Sequence, residues 1–275
     1  MAREAPSPLV IGFVADLIFQ VKIEEAAARS NFQVRWIERT IQVMAQELSA
    51  VQFSEEEALI EQLSTCQPAL LIFDLGNPEI PWRAWVGVIK STPATRRIPL
   101  ICYGSHKDAE SLQAAKKSGA DLVLVRSKFA ADVAGLIQKH GRVPPYAELE
   151  SACQEPLSEI ARHGIDLFNA REYFEAHEYL EEAWNEDHTP GKEFYRAILQ
   201  VAVAYLQIER GNYDGAVKMF WRLRQWIDPL PDVCRGVNLA KLRDDARHVY
   251  RTLTELGRER IMEFDRGLFK PVEYR

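Results

Sequence analysis

Five short apolar runs separated by helical stretches occupy the first half of this chain, and none follows in the second half. The runs are "PLVIGFVAD", "FQVRWI", "PALLIFDL", "IPLICYGS" and "ADLVLVRS". The first, third, fourth and fifth are continuous apolar segments of strand length, the pattern of strands buried on both faces of a parallel sheet. "FQVRWI" alternates in part, as a more exposed strand does. Helical spacing fills 17–30, 55–64, 82–91, 109–118 and 129–140. Five strands and five helices in strict alternation predict a doubly wound five-stranded parallel sheet with helices on both faces.

The segment "HGRVPPYAELESACQEP" breaks that rhythm, because Pro144 and Pro145 stop a helix and no apolar period runs through it. Beyond it every segment is helical, over 155–168, 172–186, 192–210, 213–227 and 238–257. A chain of 275 residues accommodates two ordinary domains. The expected division is an α/β domain over 1–142, a linker over 143–154 and an all-α helical bundle over 155–275.

Composition bounds the functions. A formal net charge of −6 argues against a general nucleic-acid binder. "KMFWRLRQW" sets Lys218, Arg222 and Arg224 beside Trp221 and Trp226, but an amphipathic bundle helix produces that pattern more often than a base-stacking platform does. The N-terminal apolar run is broken by Asp16, too short for a membrane span, and followed by no small-residue cleavage site. No other stretch reaches membrane length. Cys66, Cys102, Cys153 and Cys234 are scattered singly, which reads as small core residues in a reducing compartment. The expectation is a cytoplasmic protein.

Residues 8 to 140 resemble the response-regulator receiver domain. Asp16 ends the first strand, Asp74 ends the third in "LLIFDLGNP", and "GADLVLVRSKF" is similar to that family's fifth strand with its glycine-alanine-aspartate lead-in. The resemblance implies a phosphotransfer site at this edge: two acids holding Mg²⁺, an acceptor aspartate, a hydroxyl and a lysine. Here the acid pair aligns with Ala15 and Asp16, the acceptor with Asp74, the hydroxyl with Gly104 next to Ser105, and the lysine with Arg126, two residues before Lys128. One metal acid and both switch residues are altered, so the expectation is a degenerate receiver serving as a docking or dimerisation module. Ligands of open α/β sheets bind at the carboxyl ends of the strands, which makes "DLIFQVKI" and "GSHKD" the expected interaction surface.

In the second half, "EAHEYLEEAW" places Tyr173, Ala176, His177, Leu180, Glu181 and Trp184 on one helix face. That spacing predicts His177 and Glu181 inside the apolar stripe, Glu178 at its edge, and Glu175 and Glu182 in solvent. "ILQVAVAYLQIERGN" is apolar nearly all round and carries Gln200, whose amide needs a partner. The expected arrangement is a structural network in which His177 and Glu181 bond each other or Gln200. These residues also resemble the family catalogued as domain of unknown function 309, over roughly 160–223. Glu175, His177, Glu178, Glu181, Trp184 and Gln200 match its pattern, and no activity comes with the match.

A zinc-protease helix needs a second histidine where Glu181 stands, and di-iron bundles need a Glu-x-x-His from each of two helices. No metal or other cofactor is therefore expected. The altered receiver site leaves room for Mg²⁺, and a transition metal in the bundle would take His177, Glu178 and Glu181. The reading is a non-enzymatic regulatory or interaction protein, with a protein partner or self-association and neither membrane nor nucleic acid. The alternative is a metal- or small-ligand-binding bundle centred on His177, Glu178 and Glu181, with enzymatic activity open.

Overall fold

The computed structural model describes residues 7–44 and 53–275; residues 1–6 and 45–52, inside the expected first domain, lie outside the described residues. The described chain separates into two compact units, 7–143 and 144–275.

The first unit is built on β1 (Leu9–Phe13), α1 (Leu17–Arg29), β2 (Gln33–Trp36), α2 (Ile41–Met44), α3 (Glu55–Cys66), β3 (Leu70–Asp74), α4 (Trp82–Ser91), β4 (Leu100–Gly104), α5 (Ala109–Lys117), β5 (Leu122–Val125), α6 (Arg126–Ala131) and α7 (Val133–His140). The sheet is five-stranded in the order β2-β1-β3-β4-β5, and every pairing is parallel. Central β3 and β4 are buried at every position, whereas edge strand β2 alternates between exposed and half-buried. This is the expected doubly wound sheet. Val10, Leu70, Ile72, Ile101 and Tyr103 line one face and pack against Phe19 and Ile23 of α1 and against Phe129, Val133 and Ile137. On the other face Phe13 stacks on Phe73, with ring centroids 4.0 Å apart, and meets Trp85 edge-on. Gly12 is required by close approach: a Cβ there would lie 2.2 Å from the Trp36 ring.

The second unit contains α8 (Tyr146–Ala152), α9 (Glu159–Asn169), α10 (Tyr173–Glu186), α11 (Glu193–Glu209), α12 (Tyr213–Ile227), the two-residue strands β6 (Val233–Cys234) and β7 (Val237–Asn238), and α13 (Leu239–Leu256). Residues 146–152, expected to be connecting chain, are helical. Helices α9, α11, α12 and α13 follow the sequence reading to within a few residues, and α10 begins one residue late. Ser158, Asn212 and Asn238 cap α9, α12 and α13 by accepting from the third backbone N–H of each helix. Helix α11 is the apolar centre, burying Phe194, Ile198, Val201, Ala202 and Tyr205 among others. The C-terminal chain closes over it. Phe269 stacks on Tyr205 at 4.1 Å, and the Asn169 amide brackets Val272, donating to its carbonyl at 3.0 Å and accepting from its N–H at 2.7 Å.

The expectation of single core thiols holds for buried Cys102 and fails for two of the four cysteines. Cys153 and Cys234 are joined in a disulfide across 81 residues, with Cα atoms 4.4 Å apart, while Cys66 and Cys102 are free. Four cysteines admit three full pairings and more partial ones, so single spacings carried no sign of this bond.

Candidate functional site

The carboxyl ends of β1, β3 and β5 bring Asp16, Asp74 and Arg126 together. Asp16 is the N-cap of α1, its carboxylate accepting from Ile18 N at 3.0 Å and Phe19 N at 3.4 Å. Asp74 closes β3 with a side chain only 4% exposed, and Gly76 N donates to it at 2.9 Å. Arg126 opens α6. Its Nη2 donates to both Asp74 oxygens, at 3.0 and 2.9 Å, and its Nη1 reaches Asp16 Oδ2 at 3.5 Å. The guanidinium lies over the Phe19 ring at 5.1 Å and the Tyr103 ring at 5.8 Å. Tyr103 in turn stacks on Phe129 at 4.2 Å. Burial drives the Tyr103 hydroxyl well above its ordinary pKa, and the Asp74 carboxylate pushes the same way. The phenol is neutral throughout the physiological range.

This geometry is a closed ion cluster, not an open metal site. Arg126 supplies the positive charge between the two carboxylates, and Ala15 provides no second metal acid. The residues present do not fit Mg²⁺, which needs convergent oxygen ligands and water in that place. Ser105 is exposed and its Oγ accepts from Lys107 N at 3.2 Å. Lys128 is exposed and takes no part in the ion cluster. Phe19 and Tyr103 were missed in the sequence. The inward alternation of β4, Ile101 then Tyr103, was the one available signal.

The bundle residues are placed differently from expectation. The buried stripe of α10 is Tyr173, Ala176, Leu180 and Ala183. His177, Glu181 and Trp184 each follow a member of that stripe by one residue, about 100° round the helix. Glu181 is therefore exposed, at 53%, and His177 is 33% exposed with Nε2 3.8 Å from Glu181 Oε2. Glu178 is exposed. The expected core network does not form: Gln200 is buried but its Oε1 has no hydrogen-bond partner. Among the described residues no three His, Cys, Asp or Glu side chains converge as a metal site. Trp184 packs instead under cations, with Arg196 at 3.9 Å and Lys192 at 5.0 Å from its ring; Arg196 also lies 4.2 Å from the Trp226 ring. Trp221 and Trp226 are buried, and Trp221 Nε1 donates to Tyr250 Oη at 3.0 Å. Neither ring is offered to a nucleic-acid base.

A second polar cluster escaped the sequence reading. Arg235, in the two-residue turn between β6 and β7, has φ of +52° and is followed by Gly236 at +81°, the signature of a type I′ hairpin turn. Its buried guanidinium donates to Tyr195 Oη at 2.7 Å and Thr189 Oγ1 at 2.9 Å, and pairs with Asp187 at 2.8 Å and Glu155 at 3.4 Å.

Residues 161–219 match the family model described as domain of unknown function DUF309. Among solved structures, the chain is similar to the phosphorylated cyanobacterial phytochrome response regulator RcpA, at 16% identity and a TM-score of 0.40 over 49% of this chain and 94% of that one. It is also similar to a response-regulator receiver domain from Rhodospirillum rubrum, at 19% identity and a TM-score of 0.38 over 50% and 96%. Full-length FixJ from B. japonicum aligns at 15% identity and a TM-score of 0.32 over 72% and 90%. No curated protein matches the sequence. No helix among the described residues is long and apolar enough to cross a membrane. The chain thus joins a five-stranded parallel α/β unit to a helical unit in which residues 161–219 match the DUF309 model.

Proposed function

We propose that this chain is a non-enzymatic regulatory protein whose receiver-like unit is held in a single state by Arg126, without phosphorylation. The observation that carries the reading is the two-pronged Arg126–Asp74 contact, reinforced by Asp16. A guanidinium is permanently charged, and here one of its nitrogens lies on both Asp74 oxygens while another reaches Asp16, so it supplies the positive charge that a phosphorylatable aspartate would otherwise need from lysine and metal. Asp74 is spent in that contact and is shielded from a phosphodonor. Output then runs through protein contacts. Leu17, Ile18 and Val21 stay exposed on the first turns of α1, the segment expected to meet a partner, and give that reading its apolar surface. The helical unit serves as the second interaction module, in the cytoplasm. Nothing in the placement of His177, Glu178 and Glu181 favours the metal-binding alternative.

The test is incubation of the full chain with acetyl phosphate and Mg²⁺, followed by intact mass measurement. The expected spectrum has no stable phosphoryl adduct. A stoichiometric adduct that vanishes in Asp74→Asn overturns the reading.

A further inference from the structure

The disulfide stands where the second unit begins. Cys153 is the C-cap of α8, the first helix after Pro144 and Pro145, and Cys234 lies in β6. The two ends are held unequally. On the Cys234 side, Arg235 is fixed by Asp187, Thr189 and Tyr195, Val237 bridges to Tyr274, and Asn238 N donates to Glu273 O at 2.8 Å. On the Cys153 side, α8 is seven residues long and buries Leu149 and Ala152, the latter against Gly191. Further ties are Arg235 N donating to Cys153 O at 2.8 Å, the Glu155–Arg235 pair and the buried Leu157. A helix of that length does not persist in water without tertiary support.

We propose that the Cys153–Cys234 disulfide is a reversible latch that fastens α8 to the bundle, and that its reduction by a dithiol releases residues 144–157. In the opening step a thiolate of the dithiol attacks one of the two sulfurs, breaking the S–S bond and forming a mixed disulfide. The second thiolate of the reductant then attacks the mixed disulfide. The reductant leaves as its own disulfide with the two electrons lost, and Cys153 and Cys234 take up two protons as thiols. Both sulfurs are shielded in the closed form, so exchange proceeds through local opening of α8, the less anchored partner. Closing is the reverse exchange with a small-molecule disulfide such as oxidised glutathione. The consequence lies in the tether between the units. With the latch closed, ordered structure resumes at Tyr146; with it open, it resumes at Ser158, the N-cap of α9. Twelve added residues of flexible chain lengthen the reach of the connection by roughly 40 Å at full extension. Redox state would then set the length of flexible chain that links the two units. A reducing cytoplasm works the latch rather than forbidding it, because disulfides there are characteristically transient.

The experiment is hydrogen–deuterium exchange on the full chain, first air-oxidised, then reduced with dithiothreitol, then treated with oxidised glutathione. Reduction is expected to speed exchange at least tenfold over 146–153, to leave α10, α11, α12 and the parallel sheet unchanged, and to be undone by oxidised glutathione. Cys153→Ser is expected to show the reduced pattern under all three conditions, and Cys66→Ser the wild-type response. Four free thiols in the air-oxidised protein would overturn the proposal. So would unchanged protection over 146–153 after reduction, general unfolding of α9 to α12, or failure to reclose.

Discussion

Replacing Arg126 with alanine tests the closed ion cluster most directly. The Asp74 side chain is 4% exposed, and without Arg126 it keeps the hydrogen bond from Gly76 N but loses its paired cation. Removing one partner of a fully buried pair costs about 3–5 kcal/mol, because the other charge is left uncompensated. Arg126 is 40% exposed, so water enters the vacated place and lowers the cost to about 2–3 kcal/mol, including the lost contact with the Phe19 and Tyr103 rings. The receiver-like unit has roughly 130 residues, for which about 2.1 cal/mol/K per residue of unfolding entropy converts that loss into a fall of about 7–11 °C in melting temperature. Differential scanning calorimetry of the full chain reads it, the affected transition being the one that moves in Asp74→Asn as well as in Arg126→Ala. Arg126→Lys keeps the charge beside Asp74 but loses the second nitrogen that reaches Asp16 and the flat cation over the Phe19 and Tyr103 rings, so its loss is expected to be about half as large. Asp74→Asn added to Arg126→Ala removes the orphaned charge and should restore most of the difference. If Arg126→Ala melts within a degree of wild type, or if Asp74→Asn fails to rescue it, the cluster does not hold the unit in place and the argument for a locked receiver fails.

Two other outcomes follow from the placement of single residues. Burial, with Asp121 adding to it, pushes the Cys102 thiol from its ordinary value near 9 up to about 12; a raised thiol pKa favours folding below pH 9 and loses that contribution as pH rises further. Iodoacetamide at pH 8 should therefore label Cys66 alone in the native oxidised protein, and mass-mapped alkylation of Cys102 would contradict its burial. In the bundle, His177→Ala should lower the melting midpoint by less than about 1 °C, as expected for a partly exposed pair, whereas Trp184→Ala strips the surface on which Arg196 and Lys192 rest and should cost about 1–3 kcal/mol; the reverse ranking in a denaturant titration would reinstate His177 as a core residue.

Local pattern alone determined the elements of this protein. Continuous apolar runs such as "PALLIFDL" can be satisfied only by burial on both faces, so β3 and β4 and the parallel alternation around them were legible from the residues, as was the apolar centre α11. Pro144-Pro145 marked the passage between units for the same local reason. Helix α8 was hidden because seven residues carry too little periodicity to stand out, and the stripe of α10 was read one position too wide because helical spacing ranks neighbours but does not tell which side of the boundary faces a partner helix. What tertiary structure decided were the meetings of residues distant in sequence. Arg126 finds Asp74 across 52 positions and Asp16 across 110, and Cys153 finds Cys234 across 81. Sheet order and turn geometry set those encounters. A residue's type limits which bonds it can make, but only the folded path of the chain selects the partner.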